Sequence, residues 1–243
     1  MKDDKISRFP IPEINSLPDD IKSRIQEVQE KSGFIPNVFL ALAHRPDEFR
    51  AFFSYHDALM NKESGLSKGE REMIVVATSG LNSCIYCVVA HGAILRIREK
   101  NSLIADQIAT NYRKANISER QLAMLDFAVK VSRNANEISE EDTQTLTQHG
   151  FSEQDVWDIG SIASFFALSN RLANMANIRP NEEFYHILLT LRAHGWTRNL
   201  PDKNHVTGIK SKNEFEESFK FVLPGYNVRP NEIYAAIGIR QLK

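Results

Sequence analysis

The segment from residue 67 to residue 99 constrains the fold most, because it contains both cysteines of the chain and clear helix signals. Ser67 and Glu70 have the spacing of a capping box, in which each side chain accepts a backbone N–H of the first helical turn. The apolar run MIVVAT follows, and Gly80 is a natural position for that helix to end. The first half of the segment therefore predicts an apolar helix.

A second helix is predicted directly after it. Asn82 and Ser83 supply a turn and an N-cap, so we expect Cys84 to be the first residue of the new helix. Cys87 then lies in its first turn. The N–H groups of that turn have no backbone partner, and their partial positive charge favours a thiolate at either sulfur. His91 follows Cys87 by four residues and should lie one turn further along the same face, where it can accept a proton.

Glu72 is the carboxylate that we expect beside this histidine. It precedes the turn at 81–82 by about as many residues as His91 follows it, so two antiparallel helices would set the two side chains level. Glu70 already has a capping role, whereas Glu72 has no evident structural role on an apolar helix, which is where a functional carboxylate is expected. The segment thus predicts one cluster of four residues: Glu72, Cys84, Cys87 and His91.

The order of these residues resembles the AhpD-like alkylhydroperoxidases of the carboxymuconolactone decarboxylase superfamily. Glu72, eleven intervening residues, CIYC and three residues to His91 carry the resemblance. The segments IPEINSLPDDIKSRIQEVQEKSGFIPNVFLALAHRP and SFFALSNRLANMANIRPNEEFY are similar to the peroxidase-related subgroup, which extends the likeness from about Phe9 to Tyr185. The resemblance implies an all-α fold, a helical bundle with a CxxC helical hairpin, and assembly into homo-oligomers.

The resemblance also implies a role for each residue of the cluster. Cys87 would be the peroxidatic thiol and Cys84 the resolving thiol, with His91 and Glu72 in the proton relay. The reaction then needs a peroxide substrate and an external dithiol reductant, such as a lipoyl group or a thioredoxin-like protein, and no bound cofactor. One departure from the family is visible, because several members carry histidine immediately before the second cysteine, where this chain has Tyr86.

Several alternatives remain open for the same residues. Cys84, Cys87 and His91 offer three zinc ligands, to which Glu72 would add a fourth, although the chain lacks a second cysteine pair. The two cysteines can also simply pack at a helix start, as free cysteines commonly do. A non-enzymatic scaffold and a decarboxylase-like activity complete the alternatives, and the cysteine pair weighs against the second of these.

The composition limits the class of partner. With 243 residues, 42% of them hydrophobic and 25% charged, the chain resembles an ordinary globular protein. A formal net charge of -1, without a local basic run, argues against nucleic-acid binding. Neither a secretory signal nor an apolar stretch of roughly 20 residues is evident, so we expect a cytoplasmic protein without membrane contact. In that reducing compartment a CxxC pair is more often catalytic or metal-binding than a static disulfide.

The predicted helix after Pro46 is rich in aromatic residues. Four of its side chains are candidates for a substrate pocket, although a buried aromatic stripe is more often part of the core: Phe49, Phe52, Phe53 and His56. His56 is the member that most merits a test.

The long segment VWDIGSIASFFALSNRLANMAN has small and aromatic residues almost all round. Helices of this kind are buried in a core or between subunits, so this segment is our first candidate for an oligomer contact. Asn170 and Arg171 interrupt it with polarity. Either they serve a functional site, or they form a buried hydrogen-bonded pair or a subunit contact.

The chain changes character from about His186. The stretches LRAHGWTRNLP and GYNVRPNEIYAAIGIRQL resemble the DegT/DnrJ/EryC1/StrS sugar aminotransferases and their dehydratase relatives. We therefore divide the chain into an AhpD-like domain at 1–185 and a partial aminotransferase-like tail at 186–243, a short mixed α/β extension with a predicted strand FKFVL and a terminal helix. Asn227 matches a residue expected near a cofactor phosphate. The segment with the Schiff-base lysine or histidine is absent, so we expect a fused remnant without transaminase chemistry.

Overall fold

The structure is a computed structural model that describes residues 5–192, 203–204, 208–213, 216 and 220. Ten α-helices account for most of these residues. They are α1 (Asp19–Ser32), α2 (Asn37–Leu42), α3 (Pro46–Met60), α4 (Lys68–Leu81), α5 (Ile85–Glu99), α6 (Ile104–Asn111), α7 (Glu119–Asn134), α8 (Glu140–Gln148), α9 (Glu153–Ala176) and α10 (Glu182–Arg192). Two short strands, β1 (Lys203–Asn204) and β2 (Gly208–Ile209), pair antiparallel with Lys203 opposite Ile209.

The predicted all-α bundle is confirmed. The ribbon of β1 and β2 lies in the predicted mixed extension, whereas the predicted strand at 219–223, apart from Lys220, and the terminal helix lie outside the described residues. Asn227 lies outside them as well. The domain boundary placed after Tyr185 falls inside α10, which continues to Arg192.

Helix α4 is at the centre of the bundle, where it packs against α5, α6, α7 and α9. Every residue from Gly69 to Ser79 is buried, which the apolar run MIVVAT predicts for its own residues but not for the charged Glu70, Arg71 and Glu72 before it. It begins at the predicted capping box: the Ser67 hydroxyl accepts the Glu70 N–H at 3.0 Å, and the Glu70 carboxylate accepts the Ser67 N–H at 2.9 Å. The sequence signal at this end is confirmed.

The other end of α4 differs from the sequence prediction. The helix does not stop at Gly80 but runs to Leu81. A Cβ atom at Gly80 would lie 2.4 Å from the carbonyl oxygen of Ala109, so glycine is needed here for the close approach of α6 rather than to end a helix. Ser83 makes the turn instead, with a left-handed φ of 51°. Cys84 consequently is the N-cap of α5 and not its first helical residue.

Gly80→Ala should destabilise the fold by about 1–3 kcal/mol, because the added methyl group meets a backbone carbonyl that cannot rotate away. Gly160→Ala is a matched control inside α9, since its nearest neighbour, a ring carbon of Phe127, would lie 3.8 Å away. That replacement should raise stability by up to about 1 kcal/mol through helix propensity. Urea unfolding of both variants measures the difference, and equal stability would contradict the close packing of α4 on α6.

Three apolar clusters fill the bundle. The largest lies around α4, α7 and α9. A second joins α1, α2 and α3, where the rings of Phe39 and Phe53 stack with centroids 4.0 Å apart and Phe49 packs beside them. The third surrounds the start of α5 and includes Phe34, Ile178 and both cysteines. The first turn of α5 therefore lies in an apolar environment, covered by segments from both ends of the described chain.

Candidate active site

The two cysteines are free thiols at the buried start of α5, with exposed fractions of 1% for Cys84 and 2% for Cys87. The N–H of Cys84 donates to the carbonyl of Ser79 at 2.9 Å, which ties the N-cap to the last turn of α4. Cys87 is the third residue of the helix. Both sulfurs thus lie at the electropositive end of α5, as the spacing predicts.

The contact between the two thiols gives them different pKa values. Hydrogen bonding from the Cys87 side chain and backbone lowers the pKa of Cys84 to about 7, against the opposing effect of burial, and Asn170 and the charge of His91 act in the same direction. The same thiol contact, together with burial, raises the pKa of Cys87 well above its usual value. The first proton that the pair loses therefore leaves a negative charge that is best stabilised on Cys84.

Glu72 and His91 lie level across the hairpin, as predicted. The carboxylate oxygen Oε2 of Glu72 is 2.8 Å from Nδ1 of His91, and both side chains are largely buried. Because the carboxylate accepts from Nδ1–H, the neutral ring keeps its lone pair on Nε2. The carboxylate therefore fixes the tautomer in which His91 can accept a proton through Nε2.

A cavity of about 250 Å³ adjoins this cluster. Cys87 and His91 line it from α5, whereas Cys84 does not line it. Five phenylalanines contribute to the rest of its wall: Phe39, Phe52, Phe53, Phe166 and Phe184. Both alternatives for the aromatic helix α3, core and pocket, therefore apply to part of it. Phe49 lies in the core, whereas Phe52, Phe53 and His56 line the cavity.

Asn170 is a site residue that the sequence left undecided. It is completely buried, and its amide donates to Ser79 Oγ at 2.9 Å and accepts from the Asn82 amide at 3.0 Å. Its side chain also contributes to the lowered pKa of Cys84 and, together with Ser169, opposes the rise of the pKa of Cys87. Ser169 had no sequence signal beyond being a polar residue beside Asn170. Arg171 is exposed and donates to the Ala167 carbonyl one turn back.

Tyr86 does not take the place of the missing histidine. Its hydroxyl accepts the backbone N–H of Val38 at 3.3 Å, so it links α5 to α2 at the cavity wall. Burial raises the pKa of Tyr86, which keeps the phenol protonated at neutral pH. Tyr86 is therefore part of the cavity wall.

The zinc alternative receives no support from the geometry. Among the residues that the structure describes, no three histidine, cysteine, aspartate or glutamate side chains converge as ligands of one metal ion. Glu72 and His91 are paired with each other, with Nδ1 turned to the carboxylate.

Within the described chain, no helix combines the length and the apolar character that crossing a bilayer requires.

Comparison with known proteins agrees with this arrangement. Residues 46–111, which contain the hairpin, match the sequence profile of the carboxymuconolactone decarboxylase family. The structure is similar to an alkylhydroperoxidase AhpD core, an uncharacterized peroxidase-related protein from Ralstonia eutropha JMP134, at 65% identity and a TM-score of 0.74, over 74% of this chain and 95% of that one. It is also similar to a peroxidase-related protein from Silicibacter sp. TM1040, at 39% identity and a TM-score of 0.72, over 76% and 97% of the two chains.

This chain therefore belongs to the carboxymuconolactone decarboxylase family, in its AhpD-like, peroxidase-related group. The debrominase Bmp8 shares the fold at 18% identity and a TM-score of 0.62, over 75% of this chain and 95% of that one. The same fold thus occurs in proteins with different chemistries. The function of this chain therefore has to be inferred from its site.

A second likeness concerns a different kind of protein. The chain is 61% identical over 88 residues to the GDP-4-keto-6-deoxy-D-mannose 3-dehydratase of Escherichia coli O55:H7, which is 35% of this chain and 22% of the relative. The dehydratase of Yersinia pseudotuberculosis matches at 62% over the same length. The chain spans about a fifth of the length of these curated relatives. The predicted likeness to sugar aminotransferases themselves is not supported, because the matched relatives are dehydratases.

Proposed function

We propose that the protein is a thiol-dependent hydroperoxide reductase. The observation that carries the proposal is the meeting of a cysteine pair, at the electropositive start of α5, with the hydrogen-bonded pair of Glu72 and His91. The adjoining cavity is apolar and is lined by one of the two sulfurs, Cys87. These features fit an organic hydroperoxide that brings its O–O bond to a thiolate.

Cys87 is the attacking thiol in this proposal, because it is the sulfur that lines the cavity. Its proton passes to Nε2 of His91, whose ring Glu72 holds in the required tautomer. The thiolate then attacks the terminal oxygen of the hydroperoxide. The S–O bond forms as the O–O bond breaks, Cys87 becomes a sulfenic acid, and the leaving alkoxide takes up a proton to give the alcohol.

Cys84 completes the oxidative half of the cycle as the resolving thiol. Its thiolate attacks the sulfenic sulfur, the S–S bond forms as the S–O bond breaks, and hydroxide leaves and is protonated to water. Three-residue spacing across one helical turn keeps the two sulfurs close enough for the disulfide. An external dithiol, such as a lipoyl group or a thioredoxin-like protein, then reduces that bond by exchange and returns both thiols.

The oligomer expected from the sequence remains a prediction. In the single chain, α9 leaves three large apolar side chains exposed: Trp157, Leu168 and Met175. Trp157 is the most exposed, at 74%. A second copy of the chain covering this face would remove these side chains from water.

The proposal is tested by following the loss of tert-butyl hydroperoxide with dihydrolipoamide as the electron donor. We expect catalytic turnover that consumes one dithiol for each hydroperoxide, and no turnover after both thiols are blocked with iodoacetamide. Zinc analysis of the same preparation addresses the metal alternative. Stoichiometric zinc, released only when the thiols are blocked, with no consumption of hydroperoxide by the zinc-free protein, would replace the peroxidase proposal with that alternative.

A further inference from the structure

A second histidine reaches the thiol cavity from another helix. His56 lies on α3, and it lines the same cavity as Cys87 and His91 of α5. Both imidazoles pack edge-on against the ring of Phe166, with centroid distances of 4.8 Å for His91 and 6.2 Å for His56. The cavity thus has one imidazole next to the sulfur and another on the wall that α3 supplies.

Asp57 holds His56 by one of its ring nitrogens. Oδ1 of Asp57 is 3.2 Å from Nδ1 of His56, and the same carboxylate accepts from the Arg24 guanidinium and from the Asn61 amide. The hydrogen bond with His56, and then the charge of Arg24, hold the pKa of Asp57 below its usual value, so the carboxylate is ionised at neutral pH. An ionised carboxylate at Nδ1 keeps a proton on that nitrogen and leaves Nε2 to face other groups.

Nε2 of His56 has no hydrogen-bond partner among the described residues. The side chain is 28% exposed, so its ring is neither sealed in the core nor freely solvated. An imidazole in this position can contact a molecule in the cavity and exchange protons with water through its exposed edge. A residue that served only to pack would need neither the free nitrogen nor the contact with solvent.

The proposed reaction needs a proton where the leaving oxygen emerges. In the displacement at the O–O bond, the leaving oxygen departs on the side away from the attacking sulfur. An alkoxide is strongly basic, so bond cleavage is slow unless an acid protonates it as it leaves. His91 lies beside Cys87 on the same helix and has just received the thiol proton. An acid on a different wall of the cavity is better placed for the leaving oxygen.

We propose that His56 is this general acid, with Asp57 as its positioning residue. The inference rests on the proposed peroxidase function. In the step itself, the Cys87 thiolate attacks the terminal oxygen, and the S–O bond forms while the O–O bond breaks. The alkoxide then takes the proton from Nε2 of the His56 imidazolium and leaves as the alcohol, and the neutral imidazole regains a proton from water.

Two oxidants with different leaving groups test this role. tert-Butyl hydroperoxide releases a strongly basic alkoxide, whereas peracetic acid releases acetate, which needs no proton at neutral pH. His56→Gln should slow reduction of tert-butyl hydroperoxide by about a hundredfold or more and leave the rate with peracetic acid unchanged. His56→Phe, which retains a ring against Phe165 and Phe166, should show the same selectivity.

Two further variants complete the design. Asp57→Asn should show a smaller loss with the same selectivity, because it removes the carboxylate that orients the ring. His149→Gln is the matched control, since His149 is half-buried at the end of α8, does not line the thiol cavity, and contacts the Thr145 carbonyl through Nδ1 of its ring. Thermal unfolding of each variant checks that the fold persists.

The outcomes separate the inference from the function on which it rests. Equal losses with both oxidants in both His56 variants, or no loss with either, would overturn the role of His56 while leaving the peroxidase intact. If the wild-type protein reduces neither oxidant, the proposed function fails, and the inference fails with it. A loss confined to tert-butyl hydroperoxide is the result that assigns the proton to His56.

Discussion

Replacing Cys87 by serine is expected to abolish hydroperoxide turnover, leaving only the uncatalysed background. The variant retains Cys84, whose pKa is lowered to about 7 in the wild-type pair by hydrogen bonding from Cys87. Cys84 does not line the cavity, however, so a thiolate there cannot reach the O–O bond of a bound hydroperoxide. Stopped-flow consumption of tert-butyl hydroperoxide, with mass analysis of the protein, measures both the rate and the absence of oxidation at sulfur.

Cys84→Ser should behave differently and consume one equivalent of hydroperoxide before it stops. Without the second thiol, the sulfenic acid at Cys87 has no partner for a disulfide and should be trapped by dimedone, which mass spectrometry locates. The replacement also removes the thiol contact that contributes most to the raised pKa of Cys87. The pKa of Cys87 should therefore fall towards its usual value, and the single oxidation should reach its full rate at lower pH.

The opposite pattern would exchange the two roles. If Cys87→Ser gave the single burst and Cys84→Ser were inert, the lower pKa of Cys84 would outweigh the position of Cys87 on the cavity wall.

Iodoacetamide labelling of the wild-type protein between pH 6 and 8 is a direct control for the pair. The label should be found on Cys87, the sulfur that lines the cavity, and the labelled fraction should rise with pH, because the thiolate is the reactive form.

Local sequence signals predicted the parts of the site that depend on neighbours in the chain. The capping box at Ser67 and Glu70 sets the start of α4, and the helical period sets His91 one turn after Cys87. Together these fix the level at which Glu72 meets His91, because only a short turn separates the two helices. Counting residues on each side of that turn predicts that the two side chains lie level, and in the structure they are 2.8 Å apart.

Features that depend on distant segments were not predictable in the same way. Gly80 looked like a helix end, and only the position of α6 shows that it accommodates the Ala109 carbonyl. Asn170 is 83 residues after Cys87 in sequence, so its contact with the thiols depends on how α9 packs on α4. The helical period of α3 likewise could not decide whether His56 faces the core or a cavity, because both readings use the same face.

His91→Gln is expected to lower kcat/KM for tert-butyl hydroperoxide by about 10²–10⁴-fold, since it removes the group that takes the Cys87 proton. Raising the pH should recover much of the loss, because thiolate then forms without a base. Glu72→Gln should lose less, as the amide can still hydrogen-bond Nδ1 but no longer stabilises the charged ring. His149→Gln is again the control for removing an imidazole away from the site.

The double variant Glu72→Gln/His91→Gln decides whether the two residues act as one unit. If Glu72 works through the ring of His91, the double variant should be no slower than His91→Gln, because its effect disappears with the ring. It also controls for stability, since His91→Gln alone leaves the largely buried Glu72 carboxylate without its partner, which costs folding free energy. Losses that multiply in the double variant, or that persist unchanged at high pH, would show that the pair is a structural contact and that Cys87 loses its proton by another path.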